Sequence, residues 1–507
     1  MIKLITSRGL VLISILLIFV VSAFGSANQE SKIQVEVTGG TIEGMTDGQT
    51  AVFLGVPFAA PPIESLRWKP PQPVIPWPGA RDATKLAPAC LQSDEGWNRA
   101  AWLRASENCL TLNVYSPDMS GKAPVMVWIH GGANRAGSGG DLIGSSYTSQ
   151  GVVGVDIQYR LGALGYLSHP GLSSEQGDHS GNYGVMDQMA ALQWIKANIS
   201  RFGGDPDNVT IFGSSAGSLG VSLLLAAPDA QGLFHKAVMQ SGNFFWSGNN
   251  PYGYRSLADA EKLGTKFAEM ADANSVDELR AVSAVAIVEL QQQLDEPESG
   301  GMGLAWARVT IDGKTIPDAP EILIKRNGPK PVILGTNKAE FGAAVDESFD
   351  WAAFAQFHFG ERGPEALEAY RDENPDLRRG DLAMRLSSDA IFHCPTDTLA
   401  DYLADHGWPV WRYEFDIGSN GGLTFHSDEL PYVHTRRQTG GDVYMQDYWV
   451  ALAATGDPNG ITEKGRSRPD WERWRPDRPH QIRFTEADTE MEPGKPRGRF
   501  CDLRSSK

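Results

Sequence analysis

The stretch Val209-Thr210-Ile211-Phe212-Gly213-Ser214-Ser215-Ala216-Gly217 constrains what this chain can fold into more than any other. A β-branched and aromatic run reads as a buried strand that stops abruptly at Gly213. The small residues from Ser218 to Ala227 then read as a helix. A strand that passes into a helix through G-x-S-x-G holds its central serine in a strained backbone conformation, with the hydroxyl pushed out past the end of the sheet. Gly213 and Gly217 are glycine, on this reading, because neighbouring backbone must pass close by. Ser215 is thereby a candidate nucleophile. The pattern alone carries little weight. In a chain with 55 glycines it arises by chance on the order of once in two or three such sequences.

The rest of the chain supplies the context. Val125-Met126-Val127-Trp128-Ile129 is apolar at every position, as expected of a strand buried on both faces, and runs into His130-Gly131-Gly132-Ala133. Val152 to Tyr159 reads as the next strand. Asp187 to Asn198 has helical spacing through Met189, Leu192, Ile195 and Ile199. Further strands are expected at Ile33–Thr41 (with a turn at Gly39-Gly40), Val52–Ala59, Glu107–Val114, Ala237–Gln240, Pro331–Gly335 and Val410–Phe415. The proline-rich passage from Pro61 to Trp77 cannot join a central ladder and is expected to wrap the surface. Residues 255–325 and 345–405 read as helical insertions. Strands alternating with helices predict an α/β fold, with a mostly parallel central sheet covered on both faces.

The first residues read as a secretion signal. Lys3 and Arg8 precede an apolar run, and Ser22 to Ala27 offers small residues for cleavage. From Gly9 to Phe24 the run falls short of the ~20 residues a bilayer span needs. Residues 1–27 are therefore expected to be a cleaved signal peptide and 28–507 a single exported domain, with no stable membrane span after cleavage. The net charge of −17 argues against nucleic-acid binding, which needs a basic face. The cysteines are Cys90, Cys109, Cys394 and Cys501, and none of their spacings resembles a zinc site. A bridge from Cys90 to Cys109 would stabilise by roughly 3 kcal/mol. For Cys394 and Cys501, a long-range disulfide and two buried thiols remain equally open.

A serine hydroxyl needs a base to accept its proton and an acid to fix that base in the right tautomer. On this architecture both follow the serine in the chain, on loops just after strands. His426 follows the strand Val410–Phe415 through the glycine-rich loop from Gly418; His393 and His434 are rivals that do not follow a strand in that way. Glu340 lies just past the strand ending at Gly335. His130-Gly131-Gly132-Ala133 is the expected glycine loop of an oxyanion hole, completed by the N–H of Ala216.

These residues resemble the type-B carboxylesterase and cholinesterase family of α/β-hydrolases. The likeness extends through Phe53-Leu54-Gly55-Val56-Pro57-Phe58-Ala59, Glu107-Asn108-Cys109-Leu110-Thr111-Leu112-Asn113-Val114, Gly181-Asn182-Tyr183-Gly184, Phe202-Gly203-Gly204-Asp205-Pro206 and Gln240-Ser241-Gly242. It implies a serine ester hydrolase without metal or organic cofactor, acting on a small-molecule ester. Ser215, Glu340 and His426 would be its triad, and Gly132, Ala133 and Ala216 its oxyanion hole. It implies further that Cys90 and Cys109 are bridged and that Ser241 supports the triad. Four positions depart from the family pattern. Ser214 stands where most relatives carry Glu, Ala339 and Asn108 where Asp is common, and Ala133 ends the glycine loop. Loss of a carboxylate at 214 is expected to weaken stabilisation of the charged form of His426. Asn243-Phe244-Phe245-Trp246 directly follows the support serine, where relatives place acyl-pocket residues; that Phe245 or Trp246 narrows the acyl side and that both are ordinary aromatic packing remain equally open. The rival class is a non-catalytic binding or adhesion relative of the same fold. Such relatives typically lose the nucleophile or the histidine, and here both positions are filled.

Overall fold

Side-chain alternation divides the core into two layers. Along Ala123–Ile129, Val125, Val127 and Ile129 join one apolar cluster, while Met126 and Trp128 join another. The strand ending at Ser214 repeats this division, with Ile211 in the first cluster and Phe212 in the second. A strand apolar on both faces must be covered on both. The structure, a computed structural model, describes residues 31–246, 254–294, 306, 308–340, 350–374, 376–418, 422–459 and 468–504. The expected signal peptide at 1–27 lies outside the described residues.

In chain order the strands are β1 (Ser31–Val37), β2 (Gly40–Thr46), β3 (Ala51–Pro57), β4 (Ala80–Asp82), β5 (Thr111–Ser116), β6 (Ala123–Ile129), β7 (Val153–Ile157), β8 (Gly204–Ser214) and β9 (Lys236–Gln240). They continue as β10 (Tyr254–Ser256), β11 (Val309–Ile311), β12 (Val332–Asn337), β13 (Val410–Asp416), β14 (His480–Thr485) and β15 (Thr489–Pro493). All but β10 and β11, which pair with each other, belong to one sheet of order β1-β2-β3-β5-β7-β6-β8-β9-β12-β13-β14-β15, with β4 beside β2. From β7 to β14 every pairing is parallel; the remaining pairings are antiparallel except that of β4 with β2, which is parallel. This is the α/β-hydrolase architecture. Its parallel strands end on one side, so the loops after β6, β8, β9, β12 and β13 share one edge of the sheet.

Two expectations are refined. The segment Glu107–Leu110 precedes the strand, which starts at Thr111 and is buried on both faces, with Leu112 and Val114 in one apolar cluster and Tyr115 in the other. The proline-rich passage does run outside the ladder, yet Trp68 within it is fully buried and its Nε1 donates to Ala163 O at 2.8 Å. Helices fill the expected insertions: Leu257–Met270, Val276–Ala281, Ala284–Gln291 and Pro320–Arg326 in the first, Trp351–Phe359, Gly363–Arg371, Leu382–Ser388 and Cys394–Asp405 in the second. Cys90 bonds Cys109, and Cys394 bonds Cys501. No helix among the described residues is long and apolar enough to cross a membrane.

Candidate active site

Ser215 sits between β8 and the helix Ala216–Ala226 with φ +58° and ψ −124°, a conformation L-residues rarely adopt. The flanking glycines show what holds it there. A Cβ on Gly217 would lie 2.0 Å from Ile129 O, and one on Gly213 2.7 Å from the same oxygen. The end of β6 is therefore pressed against the turn, and no side chain fits between them. The glycine loop comes equally close, since a Cβ on Gly131 would lie 3.1 Å from Ser215 Cβ.

Gly132 and Ala133 have φ of +108° and +54°. Ala133 therefore occupies left-handed backbone at a cost that its glycine neighbour avoids. Ala216 opens a helix, so its N–H has no partner within that helix. The glycine loop is braced by its neighbours. Gln92, inside the Cys90–Cys109 loop, exchanges two hydrogen bonds with the backbone of Gly137, at 2.7 and 2.8 Å. His130 stacks on Tyr159, whose hydroxyl donates to His130 O at 2.7 Å. Trp97 is 68% exposed, yet its ring edge lies 3.1 Å from where a Cβ on Gly132 would stand. Arg135 reaches Glu95 at 3.0 Å.

Glu340 is buried, and both carboxylate oxygens are engaged. Oε1 accepts from Ser241 Oγ at 2.7 Å and from Asn337 N at 2.8 Å, while Oε2 lies 2.7 Å from His426 Nδ1. The backbone repeats the link, with His426 N donating to Glu340 O at 2.7 Å. A carboxylate at Nδ1 keeps that nitrogen protonated and leaves Nε2 as the basic one. Burial alone would depress the His426 pKa. The hydrogen bond and charge of Glu340, joined by the charge of Glu429, outweigh it and raise the pKa above the ordinary histidine value.

Nothing in the sequence around Glu429 marks it as special. It is buried three residues beyond His426 and accepts from Gln240 Nε2 at 3.1 Å and Asn337 Nδ2 at 2.6 Å. Burial and the nearby Glu340 charge raise its own pKa. A lone glutamate in a loop carries no distinguishing pattern; only its burial marks it out. Ser214 is buried too, and its Oγ has no hydrogen-bond partner among the described residues. Glu429 thus keeps a carboxylate near His426 although position 214 lacks one.

The rival histidines lie elsewhere. His434 is boxed by Trp128, Tyr147 and Phe212, with neither ring nitrogen hydrogen-bonded among the described residues, and burial lowers its pKa to about 4. His393 is buried against Thr336 Oγ1 and Lys338 O, its pKa well below the usual value through burial and the Arg379 charge. Phe245 is half buried and packs on Phe244 and Tyr402, at ring separations of 4.8 and 5.5 Å. The side chain of Trp246 lies outside the described residues. No cluster of three or more His, Cys, Asp or Glu suited to a metal ion occurs among the described residues.

Comparison with known proteins identifies the family and the fold. The pattern of the carboxylesterase family matches residues 31–500. The chain is 34% identical over 421 residues to fumonisin B1 esterase of Sphingopyxis macrogoltabida, covering 80% of this chain and 75% of that protein. It is 34% identical over 452 residues to para-nitrobenzyl esterase of Bacillus subtilis (strain 168), covering 83% and 89%. A solved PNB esterase structure superposes with a TM-score of 0.80 at 29% identity, over 94% of this chain and 99% of the other. Fold, family pattern and relatives agree: the chain belongs to the carboxylesterase family of α/β-hydrolases and is a carboxylic ester hydrolase.

Proposed function

We propose that this chain is an exported serine esterase working through an acyl-enzyme on Ser215, with His426 as general base and acid and Glu340 orienting it. The observation that carries this reading is the engagement of both Glu340 oxygens, one by Ser241 and Asn337 and the other by His426 Nδ1. Such an arrangement leaves the carboxylate no role except to orient and stabilise the imidazole.

Ser215 Oγ attacks the ester carbonyl carbon while its proton passes to His426 Nε2. The carbonyl π electrons move onto oxygen, where the N–H groups of Gly132, Ala133 and Ala216 receive the developing charge. Each such donor contributes about 3 kcal/mol in the transition state. Collapse breaks the bond to the alcohol, which leaves with the proton from His426. Water then attacks the acyl-enzyme through the same base, and the acid departs as Ser215 regains its proton. The imidazolium formed in each half-reaction is stabilised by Glu340. Phe245 or Trp246 narrows the acyl side, and the substrate is a small-molecule ester. Export is supported by the two disulfides, which persist in oxidising compartments.

Replacing Ser215 by alanine should abolish p-nitrophenyl ester hydrolysis with the thermal unfolding curve intact. Undiminished turnover by that variant would defeat the assignment.

A further inference from the structure

Behind the Glu340–His426 pair, the helices Leu382–Ser388 and Cys394–Asp405 are joined by a π-helical turn, Asp389–His393, whose five residues are all buried. In an α-helix, residues five apart point about 140° away from each other, whereas i→i+5 bonding returns them to one side. Here that side meets the Glu340 loop and His426. Ser388 Oγ accepts from Glu340 N at 3.0 Å. The Phe392 ring lies 4.9 Å from the His426 ring. His393, five residues after Ser388, has Nδ1 3.1 Å from Thr336 Oγ1 and Nε2 3.3 Å from Lys338 O. A plain α-helical continuation would bring Ser388 to Glu340 but turn His393 away from the loop.

The turn is also held from the rear. The Asp389 carboxylate accepts from Tyr370 OH at 2.8 Å and Arg497 Nε at 2.6 Å. Arg497 also reaches Glu373 at 2.6 Å, and Arg385 Nε joins Glu373 at 2.8 Å. Cys394, next after the turn, is bonded to Cys501 in the C-terminal helix Gly498–Cys501. Buried charge of this density is costly unless geometry is fixed.

We propose that the π-helical turn positions the acid–base pair, with Ser388 and Phe392 as positioning residues and the Arg497–Asp389 pair and the Cys394–Cys501 bond as the rear anchor. Ser388 fixes the backbone that carries Glu340. Phe392 sets the plane of the imidazole and keeps water from its bond to Glu340. This rests on the Ser215–His426–Glu340 reading above.

The test uses the full chain with Ser388→Ala, Ser388→Thr, Phe392→Leu and Phe392→Tyr. Live sites are counted in each preparation by titration with a p-nitrophenyl alkylphosphonate. Ser388→Ala and Phe392→Leu should each lower kcat per titrated site about tenfold with KM within about twofold, and the Thr and Tyr variants should recover most of the loss. In Ser388→Ala the acid limb of the kcat profile should move to lower pH, because a loosened Glu340 raises the His426 pKa less. If Ser388→Ala and Phe392→Leu keep the wild-type kcat per site and pH profile, losing only titratable sites or thermal stability, the turn is structural and the proposal fails. Should one of the two not fold, the other decides alone. A phosphonate that does not label wild-type Ser215 would instead overturn the nucleophile assignment, and this proposal with it.

Discussion

His434 offers a stability experiment whose magnitude follows from its surroundings. Its imidazole stands edge-on to Trp128 at 4.6 Å, with neither ring nitrogen hydrogen-bonded among the described residues, and its pKa is lowered to about 4 by burial. The unfolded chain takes up the proton near pH 6.5, so between about pH 6.5 and 4 the unfolded state binds more protons at this site than the folded one. Stability therefore falls as pH drops through that window and levels off below it. The two pKa values give a loss of about 2 kcal/mol at pH 5, rising to about 3 kcal/mol below pH 4. Phenylalanine fills similar space and cannot titrate. Relative to wild type, His434→Phe should be about 2 kcal/mol more stable at pH 5 than the comparison at pH 8 indicates. Urea unfolding followed by tryptophan fluorescence at both pH values measures this directly. His130, lowered to about 4 as well, contributes equally to both proteins and cancels. An identical stability difference at pH 5 and pH 8 would refute the argument.

The site itself yields two more. In Glu429→Gln the acid limb of kcat/KM should move to lower pH, since the Glu429 charge helps to raise the His426 pKa; kcat on the alkaline plateau should stay within about threefold. An unmoved limb would show that Glu429 does not act on His426. Phe245→Ala should raise the ratio of kcat/KM for hexanoate over acetate p-nitrophenyl esters at least about threefold, as removal of an aromatic wall opens room for further methylenes. An unchanged ratio would reduce Phe245 to packing against Tyr402.

What could be read from residue order was whatever local pattern determines. The apolar run of β6 and the strand-to-helix switch at Gly213–Gly217 are visible because burial on both faces and a turn without room for Cβ atoms each demand particular residues. Glu340 and His426 could be approached only through the strands before them, and the structure brings their side chains to 2.7 Å. Less was legible where long-range contacts decide. Trp68 is drawn into the core from a surface-wrapping passage by Ala163, 95 residues later. The strands β14 and β15 pair at the sheet edge over short stretches that alternate only weakly. Glu429, Ser388 and Phe392 lie in segments of ordinary composition. They matter because of what folds against them, as the π-helical turn shows: its first residue, Asp389, is held by Arg497, more than a hundred positions away.

The central claim, a covalent intermediate on Ser215, is tested most directly by trapping it. Quenching the protein with acid during steady turnover of p-nitrophenyl butyrate, then digesting it and analysing the peptides by mass spectrometry, should find the butyryl group on the peptide holding Ser215. Ser215→Ala should carry none. Full hydrolysis by wild-type protein with the acyl group on another residue, or with catalysis retained in the alanine variant, would contradict the account.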